Sequence, residues 1–246
     1  FMTFWEAIKN QSYYEYFMTR STYHTNRIEG NTLTYVDTYA IIFNDNSFKV
    51  SAKPREIYEA INHKYALSSM LEAIRNGEQL SERLIINLAV LINKSICDTS
   101  GYRTVPVLIR GAEHHPIPPK DIKQAMLCYV YNYNHDDGRS IYEKIADYHI
   151  RFERIHPFED GNGRTGRLLI NFGLLSDGKA PIVINQDDRS EYFEYLAKQD
   201  VLGLAGYIKD KSIQEQENID ALVIEQAVDE VLENNSLLQE NEELEL

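Results

Sequence analysis

The sequence predicts an all-α fold, a helical bundle broken by one short β-hairpin. Three observations carry this. Apolar residues recur at helical spacing on both sides of a glycine-rich loop: Ile141, Ile145, Tyr148, Phe152 and Ile155 precede it, and Leu168, Leu169, Phe172 and Leu175 follow. Helix-start signals stand ahead of two other apolar runs, Ser81-Glu82 before Leu84, Ile85, Leu88, Leu91 and Ile92, and Pro118-Pro119-Lys120-Asp121 before Ile122, Met126 and Tyr129. Strand-like alternation is scarce along the chain.

From the N-terminus, Thr25-Asn26-Arg27-Ile28-Glu29-Gly30 reads as the end of a helix. Thr25 and Glu29 are four apart and share a face, and Gly30 suits a left-handed stop. Between Ser100 and Pro119 runs Val105-Pro106-Val107-Leu108-Ile109-Arg110-Gly111, where proline and glycine oppose a helix and a hairpin is expected. Its exposed edge would offer hydrogen bonds to an extended peptide. Tyr131 to Gly138 is polar and turn-rich, and His135 beside Asp136 and Asp137 reads as a solvated loop rather than a metal site. The stripe from Ile141 ends just before His156, and the next apolar face runs to the stop signal Ser176-Asp177-Gly178. Leu222, Val223, Val228, Val231 and Leu232 suggest a docked helix, and Asn234 to Leu246 a solvated, loose tail.

Composition narrows the function classes. The formal net charge is −13, and the segment from Ser212 onward holds eleven acidic residues and no lysine or arginine, leaving −2 for the rest. No basic cluster suited to phosphate backbones is present, so a nucleic-acid partner is not expected. No apolar run approaches the roughly 20 residues of a membrane span. Cys97 and Cys128 lack metal-ligand spacing and read as buried thiols in a reducing compartment. Phe1-Met2-Thr3 shows no secretory-signal pattern, so a cytoplasmic location is expected.

The chemistry concentrates between His156 and Arg167, in His-Pro-Phe-Glu-Asp-Gly-Asn-Gly-Arg-Thr-Gly-Arg. The segment joins a candidate base, His156, to a carboxylate, Asp160, a glycine-framed turn, Gly161-Asn162-Gly163, and two guanidinium groups, Arg164 and Arg167. Backbone N–H groups at a helix start attract anions, and glycine lets phosphate approach closely. Arg164 and Arg167 are three apart on one helix and can grip phosphate oxygens as planar forks. Asp160 supplies the hard oxygen that Mg²⁺ prefers when phosphates complete its shell. Phe158, the one apolar residue of the loop after its proline, reads as an anchor to the core. These features describe a triphosphate site with a base at its edge.

At every defined position this segment resembles the signature of the Fic family, His-x-Phe-x-(Asp/Glu)-Gly-Asn-Gly-Arg-x-x-Arg. The resemblance implies the Fic fold, in which the hairpin is a flap over the active site that aligns a target polypeptide, here through Val105, Val107, Leu108 and Ile109. It implies protein adenylylation from ATP with Mg²⁺ or Mn²⁺. His156 would be general base, Asp160 the metal ligand, and Gly161, Asn162, Gly163, Arg164 and Arg167 the phosphate site, with Asn162 steadying the α-phosphate. Arg189 and Tyr192 fall where the family carries an Arg-x-x-Tyr segment near the adenine subsite. Relatives acting as kinases carry a bulkier residue at the place of Gly163, so glycine favours AMP transfer.

Thr25 to Gly30 also resembles the family's inhibitory pattern, (Ser/Thr)-x-x-x-Glu-(Gly/Asn), on the N-terminal side as in class II members. There the glutamate pairs with the second motif arginine, here Arg167, and blocks the γ-phosphate; Thr25 would steady the glutamate. The expected organisation is an N-terminal region with the inhibitory helix (1–50), a catalytic domain (51–210) and an acidic C-terminal helix and tail (211–246). The implied partners are ATP and a protein with a Ser, Thr or Tyr hydroxyl, the chain itself included, with a homodimer left open. Two other readings remain at this level: removal of AMP from a modified target using Glu29, and an inactive interaction module.

Overall fold

The computed structural model describes residues 2–43, 51–109, 114–135 and 138–244, with the side chains of 223–244 left out. Its described residues form α-helices and no strands. The helices are α1 (Phe4–Ala7), α2 (Gln11–Ile28), α3 (Tyr35–Phe43), α4 (Pro54–Arg75), α5 (Glu82–Asn93), α6 (Pro119–Asn134), α7 (Ile141–Ile155), α8 (Asn162–Ser176), α9 (Arg189–Lys198) and α10 (Val201–Leu244).

Local chemistry sets the boundaries. Ser81 accepts from the Leu84 N–H at 3.2 Å and starts α5. Pro119 opens α6, where its missing N–H costs nothing. Gly30 (φ +94°) and Gly178 (φ +70°) follow α2 and α8 in the left-handed region that glycine occupies without strain.

α8 is buried along almost its entire length, with charged, polar and apolar positions alike inside. It packs against α7, α4 and α5, and α7 is covered in turn by α10 and α6. α2 lies against the same centre, with Phe17, Met18 and Ile28 fully buried. Phe158 is fully buried, its ring 5.8 Å from Tyr102 and 6.4 Å from Phe152, which anchors the motif loop as expected. Truncating such a ring to Ala costs about 3–5 kcal/mol. The core therefore fixes both ends of the motif loop and the end of α2 relative to each other.

Several expectations are corrected. Tyr131–Asn134 continues α6 instead of forming a loop. Tyr133 packs edge-on against Tyr148, and Asn134 donates to the Leu80 carbonyl at 2.9 Å, contacts that override weak helix propensity. His135 closes that helix and bonds the Tyr131 carbonyl, while Asp136 and Asp137 lie outside the described residues. The hairpin is not formed as a ladder: Val105–Ile109 runs without regular structure, and 110–113 lie outside the described residues. Cys128 is exposed, because the buried face of α6 passes through Ile122, Met126 and Tyr129; Cys97 is half-buried. The expected loose tail is helical through Leu244, in a stretch with no glycine or proline after Gly206. Leu222 packs on the core; the side chains of Val223, Val228, Val231 and Leu232 lie outside the described residues. No helix is long and apolar enough to cross a membrane among the described residues.

Candidate active site

Two left-handed residues shape the loop between α7 and α8: His156 (φ +51°) ends one helix and Gly161 (φ +77°) starts the other. The buried Asn162 amide clamps the turn, accepting from the Phe158 N–H and donating to the Phe158 carbonyl, both at 2.9 Å. Its oxygen and one of its two N–H donors are thereby engaged in the loop, which leaves one N–H of the amide. Asn93 on α5 donates to the Asp160 carbonyl at 2.9 Å and braces the turn from outside. A side chain at Gly161 would run into Ile92 and Asn93, so the close approach requires glycine.

The two arginines share a helix but not an environment. Arg164 is almost fully buried; Nη2 donates to Asp160 Oδ1 at 3.2 Å and Nη1 lies 3.5 Å from Glu59. Its Nε has no hydrogen-bond partner among the described residues. Arg167 is turned toward α2, its Nε donating to Thr25 Oγ1 at 2.7 Å. Its Nη2 donates to the Thr25 carbonyl at 3.1 Å and to Glu29 Oε1 at 2.6 Å. Thr25 thus holds the arginine and not the glutamate, a correction that follows from the hydroxyl facing Arg167 Nε. Burial alone would lower the pKa of Arg167, but Glu29, Tyr192 and Glu153 together outweigh it and the guanidinium is held above its ordinary range. Gly163 makes this pairing feasible: a Cβ there would collide with the Glu29 carboxylate and reach within 3.0 Å of Arg167 Nη1.

The end of α2 is pinned from several sides. Arg189 donates to the Ile28 carbonyl at 2.9 Å, and Arg27 donates to Gln186 and to the Asn31 carbonyl. Asn31 donates to Glu59, whose carboxylate also faces Arg164.

Under Arg167 lies Tyr192, fully buried, its ring centroid 6.0 Å from the guanidinium carbon. Its hydroxyl is 2.7 Å from His149 Nε2, so the structure places Tyr192 beneath the arginine with no surface open to an adenine ring. Burial pushes the Tyr192 hydroxyl pKa up and holds His149 neutral at about 3. His156 Nδ1 sits 3.3 Å from the Glu153 carbonyl and 4.0 Å from the Glu153 carboxylate. A carbonyl can only accept, so Nδ1 carries the hydrogen and Nε2 the lone pair. Burial lowers the His156 pKa to about 4, which keeps the ring a neutral base near pH 7.

Sequence reasoning missed Arg103. It is buried, its N–H bonds the Pro157 carbonyl at 2.8 Å, and its guanidinium reaches the carbonyls of His156 (2.8 Å), Val105 (3.0 Å) and Ile117 (2.6 Å). One side chain therefore ties the base to both limbs of the expected flap. Beyond it, Val105 and Leu108 are exposed, 47 % and 78 %, while Val107 and Ile109 are half-buried. Arg55, Glu59, Asn93 and Glu153 were also missed; only Glu153, three before His156, lay near the motif.

Asp160 is the motif carboxylate that could hold a metal. Burial raises its carboxyl pKa, but Arg164 and Arg55 and the Gly161 N–H outweigh that and keep it below the usual range. Oδ1 accepts from Gly161 N–H at 2.6 Å, and Oδ2 pairs with the half-exposed Arg55. No cluster of three or more His, Cys, Asp or Glu suited to a metal occurs among the described residues. The residues fit a Mg²⁺ held by one carboxylate and completed by phosphate oxygens, not a protein-only metal cage.

Comparison with known proteins adds a family. Residues 79–174 match the model of the Fic/DOC family. The chain is 32 % identical over 183 residues to protein adenylyltransferase Fic of Nematostella vectensis, covering 71 % of this chain and 41 % of that protein. It is 30 % identical to protein adenylyltransferase fic-1 of Caenorhabditis elegans, covering 71 % of this chain and 35 % of the relative. The chain thus spans less than half the length of these relatives. A crystal structure of a Fic domain containing signaling protein from Bacteroides thetaiotaomicron superposes with a TM-score of 0.78 at 27 % identity, covering 88 % of this chain and 90 % of that one.

Proposed function

Since the chain belongs to the Fic/DOC family, we propose that it is a protein adenylyltransferase that Glu29 holds in a poorly active state. The observation that carries this reading is the pairing of Glu29 with Arg167 beside Gly163, on the first turns of the helix that follows the loop presenting His156 and Asp160. The phosphates of ATP would lie over Gly161-Asn162-Gly163, with backbone amides at the start of α8 as donors. Arg164 and Arg167 would hold the β- and γ-phosphates. A Mg²⁺ or Mn²⁺ ion held by Asp160 would neutralise phosphate charge.

His156 Nε2 would take the proton of a Ser, Thr or Tyr hydroxyl as its oxygen bonds the α-phosphorus and the bond to pyrophosphate breaks. Such transfers depend on positioning and charge stabilisation more than on covalent catalysis. Residues 1–50 then act as the regulatory segment, and Val105, Val107, Leu108 and Ile109 as the surface that meets the target or the chain itself. Catalysis requires Arg167 to be freed from Glu29, since a γ-phosphate beside that carboxylate meets like charge.

A second reading has its own support. Only Oε1 of Glu29 engages Arg167, and the glutamate side chain is 36 % exposed, so it can orient a water that would remove AMP from a modified target.

The test uses ATP labelled at the α- or at the γ-phosphorus, incubated with the Glu29→Gly chain and a cell lysate. Label from the α position alone on protein supports AMP transfer, and His156→Ala should reduce it about 10²- to 10⁴-fold. Transfer of γ-label, or of none, defeats the proposal.

A further inference from the structure

A half-buried carboxylate beside the base, one oxygen of it fully buried, has no role in the chemistry described above. Glu153 stands on the last turn of α7, one turn before His156, and its Oε1 has no hydrogen-bond partner among the described residues. A buried, unsatisfied carboxylate is costly, and such groups persist where function uses them. Its Oε2 is 4.0 Å from His156 Nδ1, within a small rotation of a hydrogen bond. Space for it is provided by Gly166, where a Cβ would come within 2.7 Å of Glu153 Oε1 and 2.9 Å of the His149 ring. One undefined position of the motif is thus not neutral here: glycine at 166 lets α7 and α8 approach until Glu153 lies beside the base.

The surroundings explain why the carboxylate waits unpaired. Arg167 is near, but Thr25 and Glu29 occupy its Nε and Nη2. Arg103 is near His156 on its other side, but its guanidinium is bound to backbone carbonyls. Burial is the main force on Glu153, raising its pKa to about 7 against the pull of Arg167, with Glu29 adding to the rise. His156, at about 4, is the weaker base of the two. A proton reaching the ring therefore has a stronger base 4.0 Å from Nδ1.

We propose that Glu153 is a positioning residue for His156: its carboxylate accepts the Nδ1–H and shares the proton that His156 removes from the acceptor hydroxyl. The inference rests on the adenylyltransfer reading. In the step, the hydroxyl oxygen bonds the α-phosphorus, the bond to pyrophosphate breaks, and the hydroxyl proton moves to Nε2. The Nδ1 proton shifts toward Glu153 Oε2, so the ring need not carry a full positive charge in a site that disfavours one. The backbone carbonyl at 3.3 Å can orient the ring but cannot take a proton, which leaves the side chain as the group that does.

The experiment compares the Glu29→Gly chain with Glu29→Gly/Glu153→Gln in single-turnover AMP transfer, and reads the His156 tautomer by ¹⁵N-histidine NMR without any change at Glu153. Glutamine keeps shape and accepting oxygen but cannot hold the proton. We expect kcat to fall about tenfold or more while KM for ATP stays within about twofold, the split of a group acting only on the transition state. The NMR spectrum should show hydrogen on Nδ1. Unchanged kcat in the glutamine variant, or hydrogen on Nε2, overturns the proposal. If the glutamine variant fails to fold, Glu29→Gly/Glu153→Asp decides: a carboxylate drawn back from Nδ1 should lower kcat likewise, and an unchanged kcat overturns the proposal. A Glu29→Gly chain that transfers no AMP would defeat the adenylyltransfer reading; the positioning role is then read from the His156 Nδ1 signal, which should move on Glu153→Gln if the carboxylate holds that proton and stay if only the backbone carbonyl does.

Discussion

Arg167 on α8 donates to Glu29 at the end of α2 across 2.6 Å, joining residues 138 apart in the chain. The arginine side chain is 7 % exposed and the glutamate 36 %, so the pair sits at the wall of the site rather than in bulk solvent. Charge pairs with one buried partner are strongly felt when one member is removed, because the other is left without compensation. The guanidinium that would hold a phosphate in the proposed reaction is therefore already engaged in this structure.

Thr25→Ala should disturb the arginine directly. It removes the acceptor of Arg167 Nε and leaves a buried N–H unsatisfied, a cost of about 1–3 kcal/mol. Chemical denaturation should show that loss. AMP transfer should rise, but less than in Glu29→Gly, because the Glu29 contact remains.

Gly163→Ala should act on the same pair by a different route. The added methyl collides with the Glu29 carboxylate and crowds Arg167 Nη1. Removing Glu29 should then cost less stability in the alanine background than in wild type, with a coupling of about 1 kcal/mol or more in a double-mutant cycle. Additive costs would place the Glu29 carboxylate elsewhere.

Asp160→Ala should reduce transfer about a hundredfold or more, and excess chelator should do the same to the unchanged chain. The carboxylate also pairs with Arg55 and Arg164, so its loss should be checked by thermal unfolding. Full activity in chelator would remove the metal from the account.

Stability should fall on acidification below about pH 6.5. Burial lowers the pKa of His63 and His149 to about 3 and of His156 to about 4, so these rings stay neutral when folded and take up protons when unfolded. The unfolded chain then binds more protons between roughly pH 6.5 and 4, and stability declines as pH drops. Glu153 opposes this, since its raised pKa of about 7 makes the folded state hold its proton between roughly pH 7 and 4.5. Three histidines against one glutamate leave a net loss on the order of 2 kcal/mol per pH unit near pH 5. Urea midpoints at pH 7, 6 and 5 measure it, and a flat profile would contradict the burial of these rings.

How much of this was legible in the sequence depended on distance along the chain. The loop from His156 to Arg167 is local, its residues defined by their spacing, and the flanking helices announce themselves by apolar periodicity. The Glu29–Arg167 contact was reached only through a resemblance, because nothing in Thr25 to Gly30 distinguishes it from any helix end. Arg103, Asn93 and Glu59 left no local trace: each lies more than 50 residues from the loop it braces and reads like a surface polar residue. Tyr131–Asn134 misled for the opposite reason, since its local composition favours a turn and tertiary contacts such as those to Tyr148 and the Leu80 carbonyl hold it in a helix. The role expected of Thr25 was wrong in its partner, because spacing gives a shared face but not which neighbour the hydroxyl meets.

The most direct test of the central claim is AMP transfer from α-labelled ATP by the wild-type chain, Glu29→Gly and Glu29→Gly/Arg167→Ala, measured side by side. The account predicts low activity in wild type and a rise on the order of a hundredfold in Glu29→Gly, as a coupling of a few kcal/mol is released. It also predicts loss of that gain when Arg167 is removed. Activity in Glu29→Gly equal to or below wild type would contradict it.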